Sequence, residues 1–402
     1  MSGSAGAGRI LVGAALLYDA EAHATTKGEV RTMGETGRHS AYAASGVDYD
    51  QLDRAKRHAV AAARATSALA AARGVTIDDA SRGESALVLE VGGVTLSFVV
   101  EGLGTKSLVA VGYERESGLG RYDDVAYDAV AAIVNDLVCV GAVPAVVNAY
   151  FATGDSGWYA QGDRMGQIVR GWERACRDAG AAWGGGESPN LPGLVSPEGI
   201  ELAGSAIGVV PSGRQPILGA ELAAGDEIVI VASSGLHANG ASLARMLADR
   251  LPQGWSTPLP SGRAFGDALL DPSVQYASLV AALLDAGAPV TYISHITGHG
   301  LRKLMRAEHE LTYAIDALPP VPEVLTFMVD ALEMTPADAY GTLNMGAGFA
   351  VYVKPGAGAA VVAAAEAAGL SALVAGRVEQ GPRSVVLGPL GITYGSDELA
   401  VR

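Results

Sequence analysis

The sequence predicts an α+β protein of two halves that meet near residue 212. Short β-branched runs such as Val94–Val100, Ile200–Val210 and Glu227–Ala232 alternate with Ala-rich segments of helical period. A Pro- and Gly-containing stretch, Pro211–Gly225, interrupts that pattern. A chain of 402 residues is also longer than one core sustains, since single cores stop growing near ~250–300 residues.

Each element has a local reason. Arg54–Ala72 is rich in alanine, the best helix former. Val94–Val100 reads as a buried strand. Asp124–Val140 reads as a long, mostly apolar helix, stopped by Gly141 and followed by Pro144. Ala145–Ala152 is a strand, Arg164–Ala179 a helix ended by Gly180, and Ile200–Val210 a strand running into Pro211. In the second half, strand Glu227–Ala232 feeds a Ser/Gly loop and a helix over about Asn239–Asp249. Leu243, Met246 and Leu247 give that helix an apolar face. Pro252–Gly262 is a polar loop. Strand Val290–Ser294 leads into a second Gly-containing loop and a basic helix, and strand Gly348–Val353 precedes helix Ala359–Ala368. The expected organisation is an N-terminal extension (1–39), a first domain (40–211), a second domain (212–390) and a tail (391–402).

Hydrophobic residues make up 49% of the chain, enough for large cores, and the formal net charge is −15. That charge argues against general nucleic-acid binding, which needs phosphate-neutralising Lys and Arg. It leaves room for a small anionic substrate held by a local pocket of N–H groups, lysine and a cation. Cys139 and Cys176 fall inside apolar helical patterns and read as buried free thiols, suited to a reducing cytoplasm. No apolar run approaches the ~20 residues that cross a bilayer, so no membrane partner is expected.

Chemistry gathers at element ends. Glu101-Gly-Leu-Gly-Thr-Lys106 follows a strand. Gly102 and Gly104 permit a tight turn that bares backbone N–H groups. Glu101 suits Mg²⁺, and Thr105 and Lys106 suit a phosphate. Asp128, Asn135 and Asp136 interrupt the apolar helix. Asp128 and Asn135, seven residues apart, share a face, and a carboxylate buried there needs a cation, a metal or solvent. Gly184-Gly-Gly-Glu187 reads as a glycine loop around one acid. Ser233-Ser-Gly-Leu-His237-Ala-Asn-Gly240 sits between strand and helix, where an anion is favoured. Ser233, Ser234 and Asn239 are candidate phosphate contacts, and His237 a candidate phosphate contact or acid/base group. His295-Ile-Thr-Gly-His299 is a second histidine loop. Arg302 and Arg306, four apart on the following helix, are further candidates for a substrate phosphate.

As an ordered set these segments resemble the aminoimidazole ribonucleotide synthetase family. Glu101–Lys106 is similar to its Asp-Gly-Val-Gly-Thr-Lys motif, and Val134-Asn135-Asp136 to the end of its buried helix. Tyr150–Gly154, Gly185–Ser188, Ser233–Gly240, His295–Gly298 and Thr342–Gly346 are similar to its later motifs, and Ser45–Asp48 to an early one. The likeness runs from about residue 42 to 388. It implies a two-domain α+β subunit whose N-terminal domains pair into a β-barrel in a homodimer, with an α/β sandwich as second domain. It also implies ATP near that interface, Mg²⁺, a small ribonucleotide substrate and ATP-dependent ring closure in purine biosynthesis.

By the same likeness Glu101 and Asp136 are metal ligands, and Gly102, Gly104, Thr105, Lys106, Asn135 and Gly154 contact the nucleotide. His237, His295 and Glu187 are the catalytic candidates. The sequence departs from the family at Glu101, where the family has Asp, at Asn190, where it has an acid, and at His299, where it has Gly. It has no clear copy of the family's early Gly-Gly-Phe-Gly-Gly loop. These departures suit a divergent cyclo-ligase. They also suit a relative that activates another amide, or one that binds nucleotide without turnover.

Overall fold

The β-branched runs assemble into two separate mixed sheets. The computed structural model describes residues 59–399. The 1–39 extension, the Ser45–Asp48 segment, the start of the Arg54–Ala72 helix and the end of the 391–402 tail lie outside them.

The first sheet contains β1 (Val75–Ile77), β2 (Leu87–Val91), β3 (Val94–Gly102), β4 (Val143–Thr153), β5 (Ala182–Glu187) and β6 (Ile200–Val209), in the order β1-β2-β3-β6-β4-β5. All neighbours are antiparallel except β4 and β5. After α1 (Ser67–Ala71), the helices of this half are α2 (Lys106–Ser117), α3 (Tyr122–Val138) and α4 (Arg164–Asp178). Helix α3 is buried along most of its length and packs on β3, β4, β6 and α4. Gly184–Glu187, read from sequence as a loop, belongs instead to edge strand β5, paired parallel to β4 with Glu187 opposite Tyr150.

One face of this sheet meets α3 and the other is open. On β6 the even-numbered residues are buried, whereas Ile207 and Val209 are exposed. On β3, Phe98 is 38% and Val100 65% exposed. Phe98 lies opposite Ile207, and Leu96 opposite Val209. The open face is therefore continuous and apolar.

The second sheet contains β7 (Glu227–Ala232), β8 (Val290–His295), β9 (Leu311–Ile315), β10 (Ala347–Val353), β11 (Ala372–Gln380), β12 (Ser384–Leu387) and β13 (Ile392–Gly395). Its order is β13-β12-β9-β11-β7-β10-β8. Around it lie α5 (Ala241–Ala248), α6 (Phe265–Leu269), α7 (Ala277–Asp285), α8 (Glu323–Ala331), α9 (Pro336–Tyr340) and α10 (Gly358–Ala367). Strand β10, next to edge strand β8, is buried throughout, and its neighbours β7 and β8 deliver the two histidine loops from their C-terminal ends. Residues 392–395, expected in a tail, form edge strand β13 on β12. Gly300–Met305, expected as a basic α-helix, is a 3₁₀ turn. The described residues fall in one compact unit, with α3 packed on α7 and α2 on α5 and α6.

Candidate functional site

The polar residues of α3 explain how the two halves are joined. Asp128 and Lys106 are both fully buried and pair with each other. The other Asp128 oxygen accepts the Ser273 N–H at 2.6 Å. Asn135 donates to Val274 O and accepts from the Tyr276 N–H, each at 2.9 Å. A helix of the first half thus grips segment 273–276 of the second through satisfied polar groups, as burial requires. Asp136 follows at the helix end, with Oδ1 2.7 Å from His295 Nδ1. Burial pushes the Asp136 carboxyl up, but the His295 hydrogen bond, with the charges of His295, Arg306 and Lys303, holds it below the usual range.

The His237 loop is clasped from behind by Asn344. The Asn344 amide accepts from the Ser233 hydroxyl at 2.8 Å and the Gly346 N–H at 2.9 Å, and donates to Gly235 O at 2.8 Å and Leu236 O at 3.2 Å. His237 is held at φ +59°, in the left-handed region that non-glycine residues seldom adopt. Its Nε2 accepts from the backbone N–H of Ser234 at 3.2 Å and of Val274 at 3.4 Å. Burial, then the charges of Lys106 and His295, drives its pKa well below the ordinary histidine value. The ring is therefore neutral. Because Nε2 accepts, the proton sits on Nδ1. Gly348 must lack a side chain: a Cβ there would collide with the Tyr276 hydroxyl and crowd the His237 ring.

Glu101, Asn135, Asp136, His237, Asn239 and His295 all line one cavity of about 110 Å³ at the junction of the halves. Among the described residues no group of three or more His, Cys, Asp or Glu is arranged to hold a metal ion. Two carboxylates lining one cavity fit Mg²⁺ nonetheless, because that ion keeps several waters and takes phosphate oxygens rather than demanding an all-protein cage. A larger groove of about 1230 Å³, lined by Arg82, Arg214 and His309 with Asp78, Asp79 and Glu308, contains none of the residues singled out from sequence.

Several expected site residues lie elsewhere. Lys106 is not open to a phosphate but is sealed in its pair with Asp128. The Thr105 hydroxyl bonds Ser242 Oγ at 2.9 Å. Gly102 lines the cavity, while Gly104, at φ +72°, makes the turn behind it. Gly154 packs against the backbone of Val195 and Ser196, where a Cβ has no room. Glu187 is exposed at the end of the edge strand and lines no part of the cavity. The Ser234 hydroxyl donates to Pro272 O at 2.6 Å, so like Ser233 it positions a loop.

Arg302 donates from Nε to Gly341 O at 2.9 Å and covers the Tyr394 ring. Arg306 is buried, donating to Ser85 Oγ at 2.9 Å and Gly83 O at 3.0 Å, with Glu84 at 3.7 Å. These two arginines hold the fold rather than a substrate phosphate.

Sequence reasoning missed three residues. Ser273 and Asn344 line the cavity. Glu201 on β6 accepts from the Gly104 N–H, and burial raises its carboxyl pKa. Asn344 stood inside a motif already singled out. Ser273 and Glu201 carried no pattern of their own.

Residues 83–210 match the family model described as AIR synthase related protein, N-terminal domain, and residues 223–388 match that of its C-terminal domain. Phosphoribosylformylglycinamidine cyclo-ligase of Anaeromyxobacter sp. (strain Fw109-5) is 41% identical over 285 residues, 70% of this chain and 79% of that protein. The protein of the same name from Alkaliphilus oremlandii is 34% identical over 293 residues, 71% and 82%.

The chain belongs to the AIR synthase family.

Solved structures share the fold. The HypE–HypF complex matches at TM-score 0.56 and 17% identity, covering 79% of this chain and 94% of that one. Hydrogenase maturation protein HypE in complex with ATP matches at 0.53 and 18%, covering 74% and 83%. In AIR synthase terms the two matched segments each carry one mixed sheet, and the cavity lies where they meet.

Proposed function

We propose that this chain is an ATP-dependent cyclo-ligase of purine biosynthesis. It would convert formylglycinamidine ribonucleotide to aminoimidazole ribonucleotide with release of ADP and phosphate. The observation that carries the reading is the convergence of Glu101, Asp136, His237 and His295 on one cavity between the halves. The names of relatives 31–41% identical supply the substrate class.

In the reaction the formyl-amide oxygen takes the γ-phosphoryl group of ATP, releasing ADP. The amidine nitrogen then attacks the same carbon and gives up a proton, the carbon–oxygen bond breaks, and inorganic phosphate leaves as the imidazole closes. Glu101 and Asp136 would hold Mg²⁺, which offsets charge on the phosphoryl group. Asp136 uses one oxygen for His295 and has the second for the metal. A carboxylate only accepts, so His295 Nδ1 carries the proton and Nε2 is left to exchange protons with the reacting nitrogen. Lys106, sealed in its pair with Asp128, ties the turn after β3 to α3. Gly102 and Leu103 line the cavity, with their N–H groups held by Glu101 Oε1 at 3.3 Å and Leu202 O at 2.8 Å. Fixing both ends of an acyclic substrate lowers the entropic barrier to ring closure.

The open apolar face of the first sheet supports a homodimer closed through β3 and β6. The enzyme would work in the cytoplasm, with its domains divided near residue 212. Incubation with formylglycinamidine ribonucleotide, ATP and Mg²⁺ is expected to yield one ADP per imidazole. A folded sample that forms neither overturns the proposal.

A further inference from the structure

Two residues that line the cavity each carry a buried polar atom with no hydrogen-bond partner in the fold. Ser273 is 5% exposed and His237 5% exposed, yet Ser273 Oγ and His237 Nδ1 find no hydrogen-bond partner among the described residues. Both residues line the same cavity. Buried polar groups are nearly always paired, and an unmet one costs about as much as a lost hydrogen bond. The rest of each residue is over-determined. The Ser273 N–H is fixed by Asp128, and His237 Nε2 by two backbone N–H groups, one of them that of Val274, the residue after Ser273. The two donors are therefore built on adjoining, rigid backbone. With Nε2 committed as acceptor, His237 presents Nδ1–H as a neutral donor, and Ser273 offers O–H. The carboxylates Glu101 and Asp136 line the same cavity.

We propose that Ser273 and His237 together donate to an oxygen of the phosphoryl group in transfer. Glu101 and Asp136 would take that group's metal. The cavity, about 110 Å³, suits a phosphoryl group and not a whole nucleoside. This assignment rests on the cyclo-ligase reading for its substrates and adds a catalytic residue, Ser273, with a donor's role for His237. Donors placed where charge develops act mainly on turnover.

The test is Ser273→Ala beside Ser273→Thr, which keeps the hydroxyl. Ser273→Ala is expected to lower kcat about 10- to 100-fold, for ADP and imidazole alike, with both KM values within about twofold. Calorimetry with inorganic phosphate and Mg²⁺ is expected to show at least tenfold weaker binding to Ser273→Ala, and Ser273→Thr to restore both. Because the hydroxyl has no partner, the melting temperature of Ser273→Ala should equal or exceed that of the wild type.

Unchanged kcat, or a melting loss that accompanies the activity loss, overturns the assignment. A rise confined to the ribonucleotide KM also overturns it, since the donors would then hold that substrate's own phosphate. If the wild type makes no imidazole but binds phosphate in a Ser273-dependent way, the cyclo-ligase reading falls and this cradle stands. If the wild type does not bind phosphate, the cradle falls. Should Ser273→Ala fail to fold, Ser273→Cys, of similar shape with a weak donor, takes its place under the same criteria.

Discussion

His237 combines a left-handed backbone with a ring kept neutral by burial, features that persist when the surroundings over-determine them. Its folded pKa lies below the unfolded value of about 6.5. Above pH 7 the residue is neutral in both states and contributes no pH slope. Below about 6.5 the unfolded chain takes up a proton that the folded chain refuses, so stability falls as pH falls. Relative to His237→Asn, the wild type should lose up to about 1.4 kcal/mol per pH unit between pH 6 and 5 and nothing between 7 and 8. Urea unfolding at each pH measures this, and parallel curves for the two proteins would count against a neutral His237.

The Lys106–Asp128 pair makes a second residue-scale prediction. Both side chains are fully buried, so Lys106→Met strands a carboxylate and should cost about 3–5 kcal/mol. Lys106→Met with Asp128→Asn should recover most of that, since Asn still accepts the Ser273 N–H. Thermal or urea denaturation reads both. Glu101, Asp136, His237 and His295 were legible in the sequence because an ionisable group at the end of an apolar element demands an explanation. Ser273 was not, because its meaning comes from Asp128, 145 residues away. Arg306 misled because a four-residue spacing implies one helix face, and the 3₁₀ turn and the Ser85 contact took it inward.

At the scale of elements, strands and long helices were readable to within a few residues, since period and stop signals are local. Glu227–Ala232 and Val290–His295 show this. Strand β5 was not, because three consecutive glycines read as a loop while parallel pairing to β4 imposes an extended backbone. Strand β3 was read as buried from its β-branched run. The structure buries Ser97 and Val99 and leaves Phe98 and Val100 outward. An apolar face this continuous suits the proposed homodimer interface. Phe98→Glu with Ile207→Glu, facing each other across β3 and β6, should shift the protein to monomer in sedimentation while circular dichroism stays unchanged. A variant that remains dimeric would remove that face from the interface.

At the scale of the molecule, two sheets with different orders meet through α3, and the site exists only where they meet. The two-half plan was legible from the break at Pro211–Gly225. The placing of the site between the halves was not, since side chains such as Asn135 and Asp136 act on partners far along the chain. The outward face of the first sheet has one more consequence. In the proposed homodimer, which covers this surface with a second copy, part of the stability would come from the protein's own abundance, through mass action. Its melting temperature should climb as the solution is made more concentrated, and dilution alone should inactivate it.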